Sequence, residues 1–534
     1  MAFQLQHHRS RVAALATFAR GLLFVAALSA AFLPASGQQS MVEQLDEYIA
    51  EAQQTWPVPG LAVAIVKDGQ VVLSKGYGLR ELGGSDPVDE HTLFAIASNT
   101  KAFTAAALAI LVDDGLISWD DHVSDHLPYL QLNDPLATID LRVRDLLTHR
   151  AGYRDYSGDL VWYGTPYSAE EVLKRIRHLP AAYPFRAVYG YSNVMYIAAG
   201  EVVSNVSGRS FNQFVRDEIL SPLAMTRTTL EDEDFERLGN VATPHRERDG
   251  ATIPLSWFEW EAADAAGGIV SSVHDMSRWI RLQLHRGNWN DVELFSADRS
   301  AEMWSPQTVI PVGAQTKEQY PSIHFRAYGL GWVLQDYLGQ KVVMHGGGYD
   351  GMFSRVAMVP EQNLGLVVLT NAMTGVTNAI TYRILDAFLG GPQRDWTAEL
   401  LPGYLEDRAN FSSRQRAVLK PAPGVTTEMS RQLTDYAGRF SDRMYGDATV
   451  AYEDGSLVLR LLPFPDLVAD LNHLHSDTFR ITWRKDFAWF DGGVVQFLTE
   501  PPGNISGIRI DIPNDDFWFD ELDLRRVSGS PNSE

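Results

Sequence analysis

Ser98-Asn99-Thr100-Lys101 sets a hydroxyl and an amine three positions apart at the start of an apolar segment, Ser98 to Asp114, followed by Gly115. Ala, Leu and Ile fill nearly every face of that segment, the pattern of a buried helix ended by a C-terminal glycine. Positions three apart on a helix project to the same side, so the two groups can meet. A serine is a weak nucleophile until a base takes its proton. A lysine serves as that base only when burial or nearby cations lower its pKa, and the apolar helix supplies the burial. The helix N-terminus adds a positive field that favours a developing alkoxide. Ser-x-x-Lys by itself is weak, since about one chance copy is expected in a chain of this length. A lone copy reads as a helix cap followed by a surface lysine.

Two further motifs follow it. Tyr191-Ser192-Asn193 is the only Tyr-x-Asn in the chain, and His345-Gly346-Gly347-Gly348 comes directly after the strand-like run Val342 to Met344. Taken singly, Tyr191 reads as a packed aromatic and the glycines as a turn. Other candidates are less pointed. His122 and His126 have helical spacing for a metal but no metalloprotease glutamate between them, and read as solvated or core histidines. His149 reads as a structural hydrogen-bonding residue. Trp257, Phe258 and Trp260 fit a substrate cleft or core packing equally. No Gly-x-Ser-x-Gly elbow of an α/β-hydrolase is present.

Taken together and in this order, the three motifs resemble the active site of class C β-lactamases, D-amino-acid-releasing peptidases and related esterases of the penicillin-binding-protein type. The neighbouring class A set is Ser-x-x-Lys, Ser-Asp-Asn and Lys-Thr-Gly; here the third motif departs to His-Gly-Gly. Framing segments strengthen the resemblance: Phe94 to Ser98, Asp145 to Gly152, and Ala266 to Ser272 with Asp275. It spans roughly residues 41 to 390. It implies acyl transfer to water through an acyl-serine on Ser98, with Lys101 taking or relaying the proton. Tyr191 would shuttle that proton to the leaving group and then activate water, and Asn193 would orient Lys101 or a substrate amide. The backbone N–H groups of Ser98 and Gly348 would hold the oxyanion, and His345 would line the pocket beside Tyr191. No metal or cofactor is implied. The substrate, a small molecule or peptide, stays open among an ester, a D-amino-acid peptide or amide, and a β-lactam. Because a neutral imidazole replaces the lysine cation, His345 favours neutral esters or D-amino amides over penicillins. The other reading is a binding or sensor protein that keeps the fold and acylates slowly or not at all.

These residues need elements to hold them. Leu61 to Lys67 and Gln70 to Lys75, joined by Asp68-Gly69, read as a β-hairpin. Strand-like runs return at Val342 to Met344, Phe353 to Val359 and Leu364 to Leu369, followed by a helical run, Thr377 to Leu389. Strands at both ends with helices between predict an α+β domain whose sheet combines the early hairpin with the late strands. Residues 391–430 are polar and include Pro421-Ala422-Pro423-Gly424, which predicts an irregular linker. From Leu433 onward short alternating runs recur, such as Ala448 to Tyr452 and Ile508 to Ile512, which predicts a small β-barrel over 431–527. Tyr436 to Phe440 and the ending Asp520 to Leu524 resemble the lipocalin-like domain that follows the catalytic domain in some serine peptidases of this superfamily. That domain is expected to shape or cover the cleft without supplying the nucleophile.

The whole-chain numbers agree with this picture. With 534 residues, 45% of them hydrophobic, the chain can bury a large core without disulfides or metals. A net charge of −22 argues against a nucleic-acid partner and against adhesion to anionic lipid. The absence of cysteine excludes disulfides, thiolate metal sites, cysteine nucleophiles and a lipidated N-terminal cysteine. Arg9, Arg11 and Arg20, the apolar run Gly21 to Leu33 and the small residues Ala35-Ser36-Gly37 read as a signal peptide over 1–37. Export to a periplasm or the medium follows, with no stable membrane span after cleavage. The sequence leaves the oligomeric state open.

Overall fold

The computed structural model of the protein describes residues 35–527 apart from 231–236, 249, 291, 422, 423, 425, 427 and 502. Most of the expected signal peptide therefore lies outside the described residues.

An eight-stranded antiparallel sheet forms the backbone of the first domain. Its strands are β1 (Gly60–Lys67), β2 (Gln70–Gly78), β3 (Thr308–Ile310), β4 (Arg326–Tyr328), β5 (Val333–Tyr337), β6 (Gln340–Tyr349), β7 (Met352–Val359) and β8 (Leu364–Thr370). They lie side by side in the order β2-β1-β8-β7-β6-β5-β4-β3. The early hairpin thus joins the late strands, as expected. Asp68 and Gly69 both adopt positive φ, 51° and 74°, which matches the tight-turn twist that an Asp-Gly hairpin favours. The short β3 and β4 carry no period of their own and were not legible in the sequence.

Strand alternation splits the core into two layers. Leu61, Val63 and Ile65 of β1 pack with α1 (Ala35–Thr55), α5 (Val376–Leu389) and the start of α6 (Trp396–Val418). Ala62, Ala64 and Val66 face the larger layer, which holds α2 (Thr100–Asp113), α3 (Asn193–Ser207) and α4 (Val273–Leu284). The expectation of an irregular linker after Gly391 is corrected by α6. Asp395 caps it by accepting from Ala398 N–H, and Trp396 and Leu400 bury its first turn. Pro402 and Gly403 disguise this helix in the sequence, but docking of the first turn outweighs their poor propensity.

The C-terminal region is a closed eight-stranded barrel, which fits a lipocalin-like domain. Its strands are β9 (Gly438–Ser441), β10 (Asp447–Glu453), β11 (Ser456–Leu461), β12 (Val468–His475), β13 (Thr478–Trp483), β14 (Val494–Glu500), β15 (Asn504–Asp511) and β16 (Leu524–Arg526). Pairing of β9 with β16 removes both edges. The barrel interior is continuous with the larger core layer of the first domain.

Candidate active site

Ser98 sits in a 3-10 turn, Ala97–Asn99, that runs straight into α2. Ala97 has φ of 48°, a left-handed conformation that costs a non-glycine residue roughly 1–3 kcal/mol and needs support from its surroundings. Here Ile96 N–H donates to Ile269 O at 3.0 Å, and the Ser354 hydroxyl of β7 donates to Ile96 O at 2.7 Å. The turn is therefore pinned to the sheet.

Lys101 is fully buried. Its Nζ lies 3.2 Å from Ser98 Oγ, 2.7 Å from Asn193 Oδ1 and 2.8 Å from Ala266 O. Burial pulls its pKa down to about 7, against the nearby Asp159 carboxylate, which raises it. A neutral amine in this place donates to Asn193 and Ala266 and keeps its lone pair for the Ser98 hydroxyl. The Tyr191 phenol faces the Ser98 side chain, and its ring lies 4.8 Å from Nζ. Burial holds the Tyr191 phenol well above its ordinary pKa, so it stays a proton donor at neutral pH.

Asn193 opens α3, capped by Ser192, whose side chain accepts from Met195 N–H. Its Nδ2 donates to Asp159 Oδ2 at 2.6 Å, while Trp162 Nε1 donates to Asp159 Oδ1 at 2.9 Å. Burial pushes the Asp159 carboxyl up to about 8, so the same dry surroundings drive Lys101 and Asp159 towards neutrality. His149 fixes the backbone on either side of Tyr191. Its Nδ1 accepts from Ser192 N–H at 3.0 Å, and its carbonyl accepts from Gly190 N–H at 2.9 Å.

The third motif lies on β6. His345 is 3% exposed. With its ring proton on Nδ1 it donates to Gly346 O at 2.6 Å and accepts from the Tyr328 hydroxyl at 2.8 Å. Burial pulls its pKa down to about 3, so the ring is neutral and both nitrogens are occupied. Gly347 has no room for a side chain: a Cβ there would fall against Ile96 O and within 3.0 Å of Ser98 N. The Ala266-Gly267-Gly268 segment serves the same turn, through Ala266 O on Lys101 and Ile269 N–H on Thr100 Oγ1 at 3.1 Å.

Ser98, Tyr191, Asn193, His345 and the three glycines Gly346, Gly347 and Gly348 border one cavity of about 440 Å³, with Lys101 buried beneath Ser98. Of the three candidate cleft aromatics, Trp260 lines this cavity. Trp257 and Phe258 pack against the core, Phe258 stacked on Tyr163 at 4.7 Å. The barrel contributes Trp489, Asp516 and Phe517 to the wall. Sequence reasoning missed these three, and also Asp159, Tyr328 and Arg355, because none stands in a motif. Arg355 lines the cavity, donates to Asn378 Oδ1 at 2.8 Å and has no carboxylate partner among the described residues. It pairs with Gly346 across the strands, and their spacing is the only signal that could have found it. His126 lies 3.5 Å from Asp121, and among the described residues no group of three His, Cys, Asp or Glu could hold a metal ion.

The sequence matches the family described as Beta-lactamase over residues 45–389, and a domain of unknown function, DUF3471, over residues 422–526. Unguisins hydrolase UngD of Aspergillus violaceofuscus is 30% identical over 445 residues, which covers 77% of this chain and 76% of that protein. Protein Flp of Staphylococcus aureus is 28% identical over 331 residues, covering 62% of this chain and 63% of that protein. The octameric penicillin-binding protein homologue from Pyrococcus abyssi superposes with a TM-score of 0.60 at 23% identity, over 91% of this chain and 99% of that one, a likeness of fold. With the family match spanning the whole motif-bearing domain, this chain belongs to the serine β-lactamase and penicillin-binding-protein-like family.

Proposed function

We propose that the protein is a serine hydrolase that works through an acyl-serine on Ser98. One observation carries this reading: the Lys101 amine is buried, pulled down to about 7, and lies 3.2 Å from Ser98 Oγ with its other bonds satisfied. In this reading the neutral amine takes the Ser98 proton as Oγ attacks the acyl carbon. The N–H groups of Ser98 and Gly348 hold the oxyanion. Tyr191 gives its own proton to the leaving group and is reprotonated by Lys101. In deacylation it takes a proton from the attacking water as it passes its own to Lys101, which returns it to Ser98 Oγ as the acyl bond breaks. The family membership and the name of the unguisins hydrolase relative support hydrolysis rather than a silent sensor. The leader, Arg9 to Gly37, supports export.

Two groups bear on the substrate. His345 is neutral with both nitrogens engaged, so it offers no fixed cation. That favours an ester or an amide over a penicillin at this position. Arg355, reached past Gly346, supplies the cation instead, and an anionic group elsewhere on the substrate can meet it there.

A fluorophosphonate probe on wild type and Ser98→Ala tests the nucleophile: wild type labels and the variant does not. A protein that never labels is the sensor of the second reading. Values of kcat/KM for a nitrophenyl ester, a D-amino-acid anilide and a chromogenic cephalosporin test the substrate class, and the cephalosporin is expected to be the poorest. Arg355→Ala should raise KM only for carboxylate-bearing substrates.

A further inference from the structure

Residues 153–159 form a loop that lies between the second motif and the barrel. On one side it holds the motif. Tyr156 N–H donates to Tyr191 O at 2.7 Å, Asp155 Oδ1 accepts from Tyr191 N–H at 2.5 Å, and Asp159 accepts from Asn193. On the other side the barrel holds the loop. Trp518 Nε1 donates to Asp155 O at 2.7 Å, and its ring covers the Arg154 guanidinium at 4.2 Å. Glu521 reaches deepest. One carboxylate oxygen accepts from the Ser157 hydroxyl and from Arg154, and the other accepts from Gly158 N–H at 2.9 Å. Only 8% of its side chain is exposed. Tyr156 and Gly158 have φ of 62° and 82°, and a loop with a non-glycine residue in the left-handed region needs outside contacts to keep that shape.

We propose that Glu521 is a positioning residue for the acyl-transfer site, through which the barrel fixes the loop that sets Asp159, Asn193 and so the Lys101 amine against Ser98. The proposal rests on the serine-hydrolase reading above. It has an electrostatic side as well. The Glu521 charge raises the pKa of Asp159, and the Asp159 charge raises that of Lys101. Removing the charge at 521 favours an ionised Asp159 and hence a protonated Lys101. The other titratable groups facing Lys101 are His149 and His345, both kept neutral by burial, and the Tyr191 and Tyr196 phenols, both held protonated by it. Asp159 faces Trp162, Asn193 and the Tyr156 phenol besides Lys101, and Glu521 faces Arg154, Asp520 and the Tyr153 phenol.

The test uses the full-length protein and the variants Glu521→Gln, Ser157→Ala and Asp491→Asn. Asp491 pairs the barrel with Arg246, away from the loop, and its variant is the control for general barrel docking. Two readouts are taken: the rate of fluorophosphonate labelling at Ser98 across pH, and the titration of Lys101 followed by NMR on ε-carbon-13 lysine. Lys101→Arg assigns the resonance, and thermal melts report folding. In Glu521→Gln the Lys101 midpoint should move to higher pH, with labelling at pH 7 slowed by about threefold or more. Ser157→Ala should slow labelling in the same direction, and Asp491→Asn should leave both readouts at wild type. Unchanged readouts in folded Glu521→Gln and Ser157→Ala overturn the proposal. So does an equal effect in Asp491→Asn, which would assign the influence to docking as a whole. If wild type never labels, the serine-hydrolase reading fails, while the Lys101 titration still decides the role of Glu521.

Discussion

The two walls of the pocket are held in place by different means. The wall with Ser98, Lys101 and Gly347 is set by dry packing inside the first domain: a strained turn pinned to β7, a lysine buried at 0% exposure, and a glycine with no space for a Cβ. The facing wall is loop 153–159 with Trp489, Asp516 and Phe517. Its anchors come from the barrel, as where Trp518 bonds Asp155 across 363 positions of chain. The first wall holds the atoms that would react. The second adds a carboxylate, Asp159, that raises Lys101 against the pull of burial, and it shapes the cleft those atoms meet. Removing a reacting group from the first should therefore abolish chemistry or cut it by orders of magnitude, and perturbing the second should shift it.

The largest effect is expected from Ser98→Ala. Labelling should vanish and turnover fall by roughly four orders of magnitude or more, with a stability change within about 1 kcal/mol. A variant that kept wild-type turnover would remove the first wall from the chemistry altogether. Next come Lys101→Met and Tyr191→Phe, each lowering turnover by about 10²–10⁴. Because Lys101 bonds Ser98 and the Tyr191 ring lies 4.8 Å from the same amine, the double variant should be little worse than the poorer single one. Independent, multiplying losses would mean that they do not share a proton path.

Gly347→Ala is expected to be milder in rate and visible in stability. Its Cβ would press on the backbone of Ile96 and Ser98, with an overpacking cost of about 1–3 kcal/mol. A Gly347→Ala protein that melts and labels like wild type would show that the turn can yield. The smallest effect is on the second wall. In wild type, labelling should rise with pH through about 7, since the active form is the neutral amine. Below that midpoint the rate should fall about tenfold per pH step. Asp159→Asn removes the charge that raises Lys101, so this limb should move to lower pH with a plateau changed only a few-fold. A limb that stays or moves up would break the contrast between the walls.

Much of the first wall was legible in the sequence. Ser98 and Lys101 were readable because helix geometry brings positions three apart together wherever the helix lies. The Asp68-Gly69 hairpin, the late strands and the barrel were readable from turn residues and alternation. His149 was readable as structural, and bonds Ser192 N–H. The helix over Trp396–Val418 was not, because its stability comes from docking Trp396 and Leu400 and its sequence carries a proline and a glycine. Nor were Asp159, Arg355 and Glu521, each an ordinary charged residue until its neighbours are known.

The sequence by itself therefore determined the two-part architecture and which residues could act, because those signals are carried by residues a few positions apart. Only the tertiary structure decided that both His345 nitrogens are bonded, that Gly347 must lack a side chain, and that the barrel grips the loop beside the site. Burial, pKa and close approach depend on atoms brought together from distant segments, and no local pattern encodes which segments those are.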